Sequence, residues 1–252
     1  MAGGSEPGAS VVGRALAILG TFDEDHRRQT LTEISRRAGI PRPTTLRLLR
    51  QLVDGRALER VDGSTYVIGR SVWTLGLLAP METDLREVAA PHLQDLQAVT
   101  RATVHLAIRD GDQVLYVDRL AGRASVPVVS KVGGRLPLHA TGVGKVLLAY
   151  APPDVRQSVL AHLIRVTPYT ITSPGLLDQQ LARIRRDGYA TTAEEMSLGA
   201  CSVAVPIRDA HGTVDAALGI VVPSLTRERA RLSAALAVAA QGIQRELARR
   251  EG

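Results

Sequence analysis

Hydrophobic positions along the chain change their period several times, and each change marks an element. Val12, Ala15, Leu16, Leu19 and Phe22 recur at helical spacing and predict a first helix. Thr30-Leu31-Thr32-Glu33 has the form of a capping box, in which a Thr hydroxyl and a Glu carboxylate satisfy the open amides of a helix start. A second helix therefore begins at Leu31. Leu31, Ile34, Ser35 and Ala38 give it one apolar or small face, and Gly39 offers the left-handed conformation that ends helices. Pro43 suits the first turn of the next helix and disfavours helical geometry at Arg42. That helix is expected over residues 43–54, with Thr45, Leu46, Leu49, Leu52 and Val53 on its packing side and Thr44, Arg47 and Gln51 facing out. Residues 58–61 and 64–68 then read as strands around Asp62-Gly63, a dipeptide suited to the positive φ angles of a type I′ hairpin. Two helices in a tight turn followed by a hairpin outline a winged helix-turn-helix.

Residues 71–78 are mostly apolar, contain the only Trp, Trp73, and end before Pro80, which predicts a short linker helix. Trp73, Leu75, Leu77 and Leu78 on a lone connector would leave an apolar patch, so they are expected to pack on a neighbouring subunit or on the second domain. Beyond it the pattern is helix, strands, helices, strands, helix. Helices are expected at 83–100, 141–149, 153–162, 176–187 and 226–249, and strands at 104–108, 114–120, 126–132, 202–208 and 213–222. Two of the strand pairs turn about Asp110-Gly111-Asp112 and Asp209-Ala210-His211-Gly212. The fold class expected is α+β: a tail over 1–10, a winged helix-turn-helix over 11–69, a linker helix over 70–81 and a GAF-like α/β domain over 82–252.

Charge sharpens the picture of the first domain. Between Arg27 and Arg60 stand nine arginines against Glu33, Asp54 and Glu59, an excess of six that equals the formal net charge of the whole chain, +6. An excess confined to one compact motif points to an anionic polymer docking there, and double-stranded DNA is the obvious candidate. Arg can clamp guanine O6 and N7, Gln can pair with adenine, and Thr can meet a phosphate or a thymine methyl. The candidate DNA-binding set is Arg42, Thr44, Thr45, Arg47, Arg50 and Gln51 on or beside the second helix of the motif, with Arg56 and Arg60 placed for phosphates along the wing.

Composition excludes more than it identifies. The first ten residues lack a cationic start and an apolar run, so they read as a disordered tail and not as a signal peptide, and no apolar stretch is long enough for a membrane span; a cytoplasmic location is expected. With one cysteine, Cys201, there is no intrachain disulfide framework, and no His/Cys cluster has metal-ligand spacing, so neither metal nor cofactor is expected. His105, His139, His162 and Cys201 are scattered outside any nucleophile motif, and Glu194 and Glu195, being adjacent, would point to opposite faces of a strand. An enzyme is not expected. Switching by Cys201 oxidation, or by a protein partner in place of a small ligand, is the alternative mode of control.

Several segments, in order, resemble the IclR family of bacterial transcriptional regulators: the helix-turn-helix over 30–52, Tyr66-Val67-Ile68-Gly69 at the end of the wing, Leu136-Pro137-Leu138-His139-Ala140-Thr141-Gly142-Val143-Gly144-Lys145, and Glu194-Glu195 leading to Gly199-Ala200-Cys201-Ser202-Val203-Ala204-Val205-Pro206. The resemblance implies a domain that binds a small effector, dimers paired through the DNA-binding domains, often dimers of dimers, and a pseudo-palindromic operator. Matched residue by residue, it implies an effector site at Ala140, Thr141, Gly142, Val143, Thr192, Cys201, Ser202 and Gly219. The residues agree at one point: a helix opening at Thr141-Gly142-Val143-Gly144 would offer free amides and a positive dipole end to a carboxylate, so an organic acid is the expected ligand class. Of Cys201 and Ser202, strand alternation lets only one face the ligand, and Ser202 is favoured. Thr191-Thr192-Ala193 and Gly219 make this pocket less polar than the family's pattern, which favours a larger or more apolar acid.

Overall fold

The computed structural model describes residues 10–23, 25–76, 78, 80–122, 126, 128–209 and 211–251, and the chain forms two compact units, Met1–Pro80 and Met81–Gly252.

In the first unit, α1 (Val11–Leu19), β1 (Gln29–Thr30), α2 (Leu31–Ala38), α3 (Arg42–Asp54), β2 (Leu58–Val61), β3 (Thr65–Ile68) and α4 (Arg70–Gly76) follow one another. The capping box forms as its residues dictate: Thr30 N donates to Glu33 Oε2 at 2.7 Å and Glu33 N donates back to Thr30 Oγ1 at 3.4 Å. Gly39 ends α2 at φ 65°. At the hairpin tip Asp62 and Gly63 both have positive φ, 50° and 68°, as a type I′ turn requires. The sheet order is β1-β3-β2, in which the two-residue β1 escaped the sequence pattern. Of the expected tail, residues 1–9 lie outside the described residues; Ser10 instead caps α1, its Oγ accepting from Gly13 N at 2.9 Å.

Ile18, Ile34, Ile40, Leu48, Leu49, Leu58 and Tyr66 form this unit's core. Leu48 belongs to it although the expected packing stripe left it out, because α3 is packed by α2 and α1 and also by β2, which widens its buried face. On α4, Trp73 and Leu75 are exposed, as is Leu78 just beyond it, while Leu77 lies outside the described residues.

The second unit is a three-layer sandwich. Its six-stranded antiparallel sheet has the order β6-β5-β4-β9-β8-β7, built from β4 (Thr103–Asp110), β5 (Gln113–Leu120), β6 (Arg135–Pro137), β7 (Ala190–Ala193), β8 (Cys201–Arg208) and β9 (Val214–Val222). Alternation along the strands sends Val104, Leu106, Val203, Val205, Leu218 and Ile220 to one face, where α5 (Pro80–Thr100) and α9 (Arg229–Glu251) cover them with Leu93, Leu96, Leu232, Leu236 and Ile243. Ala107, Ala204 and Ala217 face the other way, beneath α6 (Gly142–Tyr150), α7 (Pro153–Ala161) and α8 (Pro174–Asp187). Small residues on this second face let α6 lie close. A Cβ on Gly142 would stand 2.4 Å from Ser202 Oγ, and one on Gly219 would stand 2.8 Å from Val143 Cγ1.

Two expectations for this unit are corrected. The strand expected over 126–132 is absent among the described residues there; its valines run as irregular chain, and β6 forms only after the Gly133-Gly134 turn. In its place β7, an Ala-Thr strand with no apolar signature, completes the sheet edge against β8.

Candidate nucleic-acid interface and ligand pocket

On α3 the outward set is disposed as its spacing requires. Arg42, Arg47, Arg50 and Gln51 are exposed and Thr44 is half-buried. Thr45 is the exception among the eight candidates: it is fully buried, and its hydroxyl donates to Ile40 O at 3.1 Å and Pro41 O at 3.2 Å. The wheel position that turns it inward decides its role, so it is withdrawn from the DNA-contacting set and fixes the helix to the preceding turn instead. On the wing, Arg56 and Arg60 are exposed, with the Arg60 guanidinium 5.9 Å above the Tyr66 ring.

The sheet unit holds a cavity of about 50 Å³ between the start of α6 and the face of β4, β9 and β8. Six of the eight residues matched from the family line it: Thr141, Gly142, Val143, Thr192, Ser202 and Gly219. Ala140 does not. It is fully buried in the 3-10 turn Leu138–Ala140 that precedes the helix. Cys201 does not either: it pairs with Val222 and Ala193 on the α9 side of the sheet and borders a separate cleft with Ser224, Thr226 and Arg227. Burial first and the Glu194 charge second push the Cys201 thiol up from its ordinary range, which disfavours the reactive thiolate and takes support from redox switching.

The pocket has polar groups at two ends. At the α6 end Thr141 caps the helix, accepting from Gly144 N at 3.1 Å, and the hydroxyls of Thr192 and Ser202 lie 2.6 Å apart. At the other end His105 Nε2 and Ser130 Oγ share a 2.8 Å hydrogen bond, and Tyr116 meets the His105 ring edge-on at 5.0 Å between centroids. Burial pushes the Tyr116 phenol up, opposed by its hydrogen bond with Thr141. Val128, Val129, Leu136, Val143 and Val221 supply the apolar walls, and Met196, Ser197 and Ala200 come from the β7–β8 connection. His105, Tyr116, Ser130 and Val221 were not among the expected site residues. The period-2 alternation of β4 carried a signal for His105, which falls on the face of Ala107.

Burial, and secondarily the Arg119 charge, push His105 from the usual 6.5 down to about 3. The folded protein keeps this ring neutral while the unfolded chain takes up a proton below pH 6.5. The stability it contributes is therefore complete above about pH 6.5 and lost as pH falls toward 3. Urea unfolding at pH 7 and pH 5 should show a loss in the wild type that is clearly smaller in His105→Gln; equal losses would remove His105 as its source.

The β7–β8 connection is held by a buried ion pair. Lys145, fully buried on α6, donates to Glu195 Oε1 and Oε2 at 2.6 and 2.7 Å and to Gln180 Oε1 of α8 at 2.7 Å. Burial lowers the Lys145 pKa, and the Glu195 charge opposes the shift. Thr167 and Thr170 hydroxyls donate to Glu194 O and Glu195 O, both at 2.7 Å. His139, in the same motif as Lys145, bonds Ile164 O at 2.9 Å and so ties the 3-10 turn to the α7–α8 connection.

An exposed basic helix in a winged unit and a pocket with polar ends and apolar walls in an α/β unit of the same chain define a ligand-responsive DNA-binding protein. Residues 79–245 match the family description "Bacterial transcriptional regulator IclR C-terminal", and residues 11–62 match "IclR helix-turn-helix domain". The chain belongs to the IclR family, whose members are DNA-binding transcriptional regulators controlled by small organic ligands, not enzymes. It is 33% identical over 212 residues to the HTH-type transcriptional regulator XynR of Escherichia coli, covering 83% of this chain and 84% of that one. It is 31% identical over 233 residues to the HTH-type transcriptional repressor AllR of the same species, with 89% and 85% covered. Among solved structures it is similar to an IclR homolog of Microbacterium hydrocarbonoxydans complexed with 4-hydroxybenzoate, at 37% identity and a TM-score of 0.88, covering 94% of this chain and 99% of that one. Among the described residues no helix is long and apolar enough to cross a membrane.

Proposed function

We propose that this chain is a cytoplasmic repressor that binds a pseudo-palindromic operator as a homodimer or dimer of dimers, responds to an organic acid of aromatic or comparable apolar character, and catalyses no reaction. The observation that carries the effector half is the pocket at the start of α6, where Gly142 and Val143 head a helix above the Thr192 and Ser202 hydroxyls. A carboxylate at that end gains the free amides and the helix dipole, and its ring lies along Val128, Leu136, Val143 and Val221. The 4-hydroxybenzoate held by the Microbacterium homolog is of this chemical kind. For the DNA half, Thr44, Arg47 and Gln51 read base edges from the major groove, while Arg42, Arg50, Arg56 and Arg60 meet phosphates. Exposed Val12 and Leu16 on α1 and Trp73, Leu75 and Leu78 around α4 support pairing of DNA-binding units. Such a dimer sets half-sites about 34–36 Å apart. Repression accords with the relative named as a repressor.

A ligand alters operator affinity only through its preference for one arrangement, a coupling of about 1–3 kcal/mol. The cavity is smaller than the roughly 300–1,000 Å³ of a typical ligand site. An aromatic acid therefore enters by displacing the Val128–Ser130 segment or Met196, and this displacement supplies the preference. Thermal unfolding with a panel of acids tests the reading: a ligand at about 100 times its Kd stabilises the wild type by about 2.7 kcal/mol. Val221→Phe, which fills the pocket, should melt as the wild type does without ligand and gain nothing from the acid. Equal stabilisation of both proteins would place the ligand elsewhere.

A further inference from the structure

The pocket face of the sheet carries a partly exposed arginine, one of whose guanidinium nitrogens the fold leaves without a partner. Arg119 stands directly opposite His105 in the β4–β5 ladder, and directly opposed residues of an antiparallel pair project from the same face. Arg119 therefore lies on the pocket side. The adjacent Asp118 projects to the α5 side, where it accepts from Arg86 at 3.2 Å. Arg119 Nε is buried without a hydrogen-bond partner, and no carboxylate of a described residue pairs with its guanidinium. The sequence from Arg119 to Arg135 contains no Asp or Glu, so the Val128–Ser130 stretch that lines the pocket brings no counter-charge of its own. A buried guanidinium nitrogen without a partner is costly for a fold to retain, and an incoming anion that accepts from it removes the cost.

The pocket's second polar end is formed by His105 and Ser130, and the Arg119 charge acts on the His105 ring. His105 is neutral there, so Ser130 can accept from its ring and donate its own hydroxyl hydrogen to a ligand oxygen. We propose that the effector carries two acidic groups: one held at the start of α6, and a distal one received by the Ser130 hydroxyl, which His105 orients, and charge-balanced by Arg119. The ligand class is then a dicarboxylate with an apolar middle. This proposal rests on the effector reading above and adds the distal group to it.

Calorimetric titration of matched pairs tests it, using terephthalate against benzoate and adipate against hexanoate. In the wild type at least one diacid should bind about tenfold or more tighter than its matched monoacid, the worth of a charge-assisted hydrogen bond. In Arg119→Met the ratio should fall to about one with monoacid affinity unchanged, and Arg119→Lys should keep most of the preference. Unliganded Arg119→Met should melt no lower than the wild type, because no ion-pair partner is lost; a merely structural arginine would lower it. Monoacids binding as tightly as diacids in both pairs, or a diacid preference that survives Arg119→Met, overturns this proposal alone. If no acid of either kind binds the wild type, the effector reading falls and the proposal falls with it.

Discussion

Lys145→Met should lower the unfolding free energy by about 3–5 kcal/mol, the cost of leaving a buried carboxylate without its partner. Glu195 is buried and takes two hydrogen bonds from the Lys145 ammonium, so truncation strands its charge beside Gln180. The double variant Lys145→Met/Glu195→Leu should recover most of the loss, since exchanging a whole buried pair for apolar residues is often neutral. Denaturant unfolding of wild type, both single variants and the double closes the cycle. Additive losses would mean that the two residues act independently. The double variant should still be impaired in acid binding: Met196, Ser197 and Ala200 follow Glu195 into the pocket wall, and without the ion pair their segment keeps the Thr167 and Thr170 bonds but loses its tie to α6.

The second large effect is expected on DNA. Arg47→Ala and Gln51→Ala should each weaken binding to a fragment selected from random-sequence DNA by about 1–3 kcal/mol, with little change on unselected duplex. Arg56→Ala and Arg60→Ala should weaken both DNAs alike and lower the salt dependence by about one released ion each. Mobility-shift titrations at two salt concentrations separate the patterns. Equal losses on selected and unselected DNA for Arg47→Ala would deny it a base contact. Thr45→Val serves as a control within the helix, since its hydroxyl bonds Ile40 O and Pro41 O and faces no solvent.

What could be read from residues alone follows from how local the controlling physics is. The capping box at Thr30, the stop at Gly39 and the turn at Asp62-Gly63 each depend on groups a few positions apart, so the first unit was largely legible. Thr45 was legible there too: the helical spacing put it on the packing side, and only its residue type brought it into the groove-contacting set. In the second unit β7 was missed because Ala190-Thr191-Thr192-Ala193 owes its strand to pairing with β8 and not to its own propensity. The valines over 126–132 carried the signature of a strand, yet two of them, Val128 and Val129, serve as a cover that lines the cavity. Lys145 sits within an apolar helix and its partner Glu195 is fifty positions away, so no window of sequence joins them. The same holds for the pocket. Gly142 and Ser202 were legible through their motifs, whereas His105, Tyr116 and Ser130 come together only through the register of β4, β5 and the segment beyond.

The internal anchoring of α3 carries a consequence for how such a regulator changes its target. Thr45, Leu48 and Leu49 secure the helix from beneath, so the exposed Arg47 and Gln51 and the half-buried Thr44 carry little of its packing. If Thr44, Arg47 and Gln51 read bases as proposed, they form an interchangeable alphabet on a fixed mount, and new binding preferences can arise by single steps without passing through an unstable intermediate.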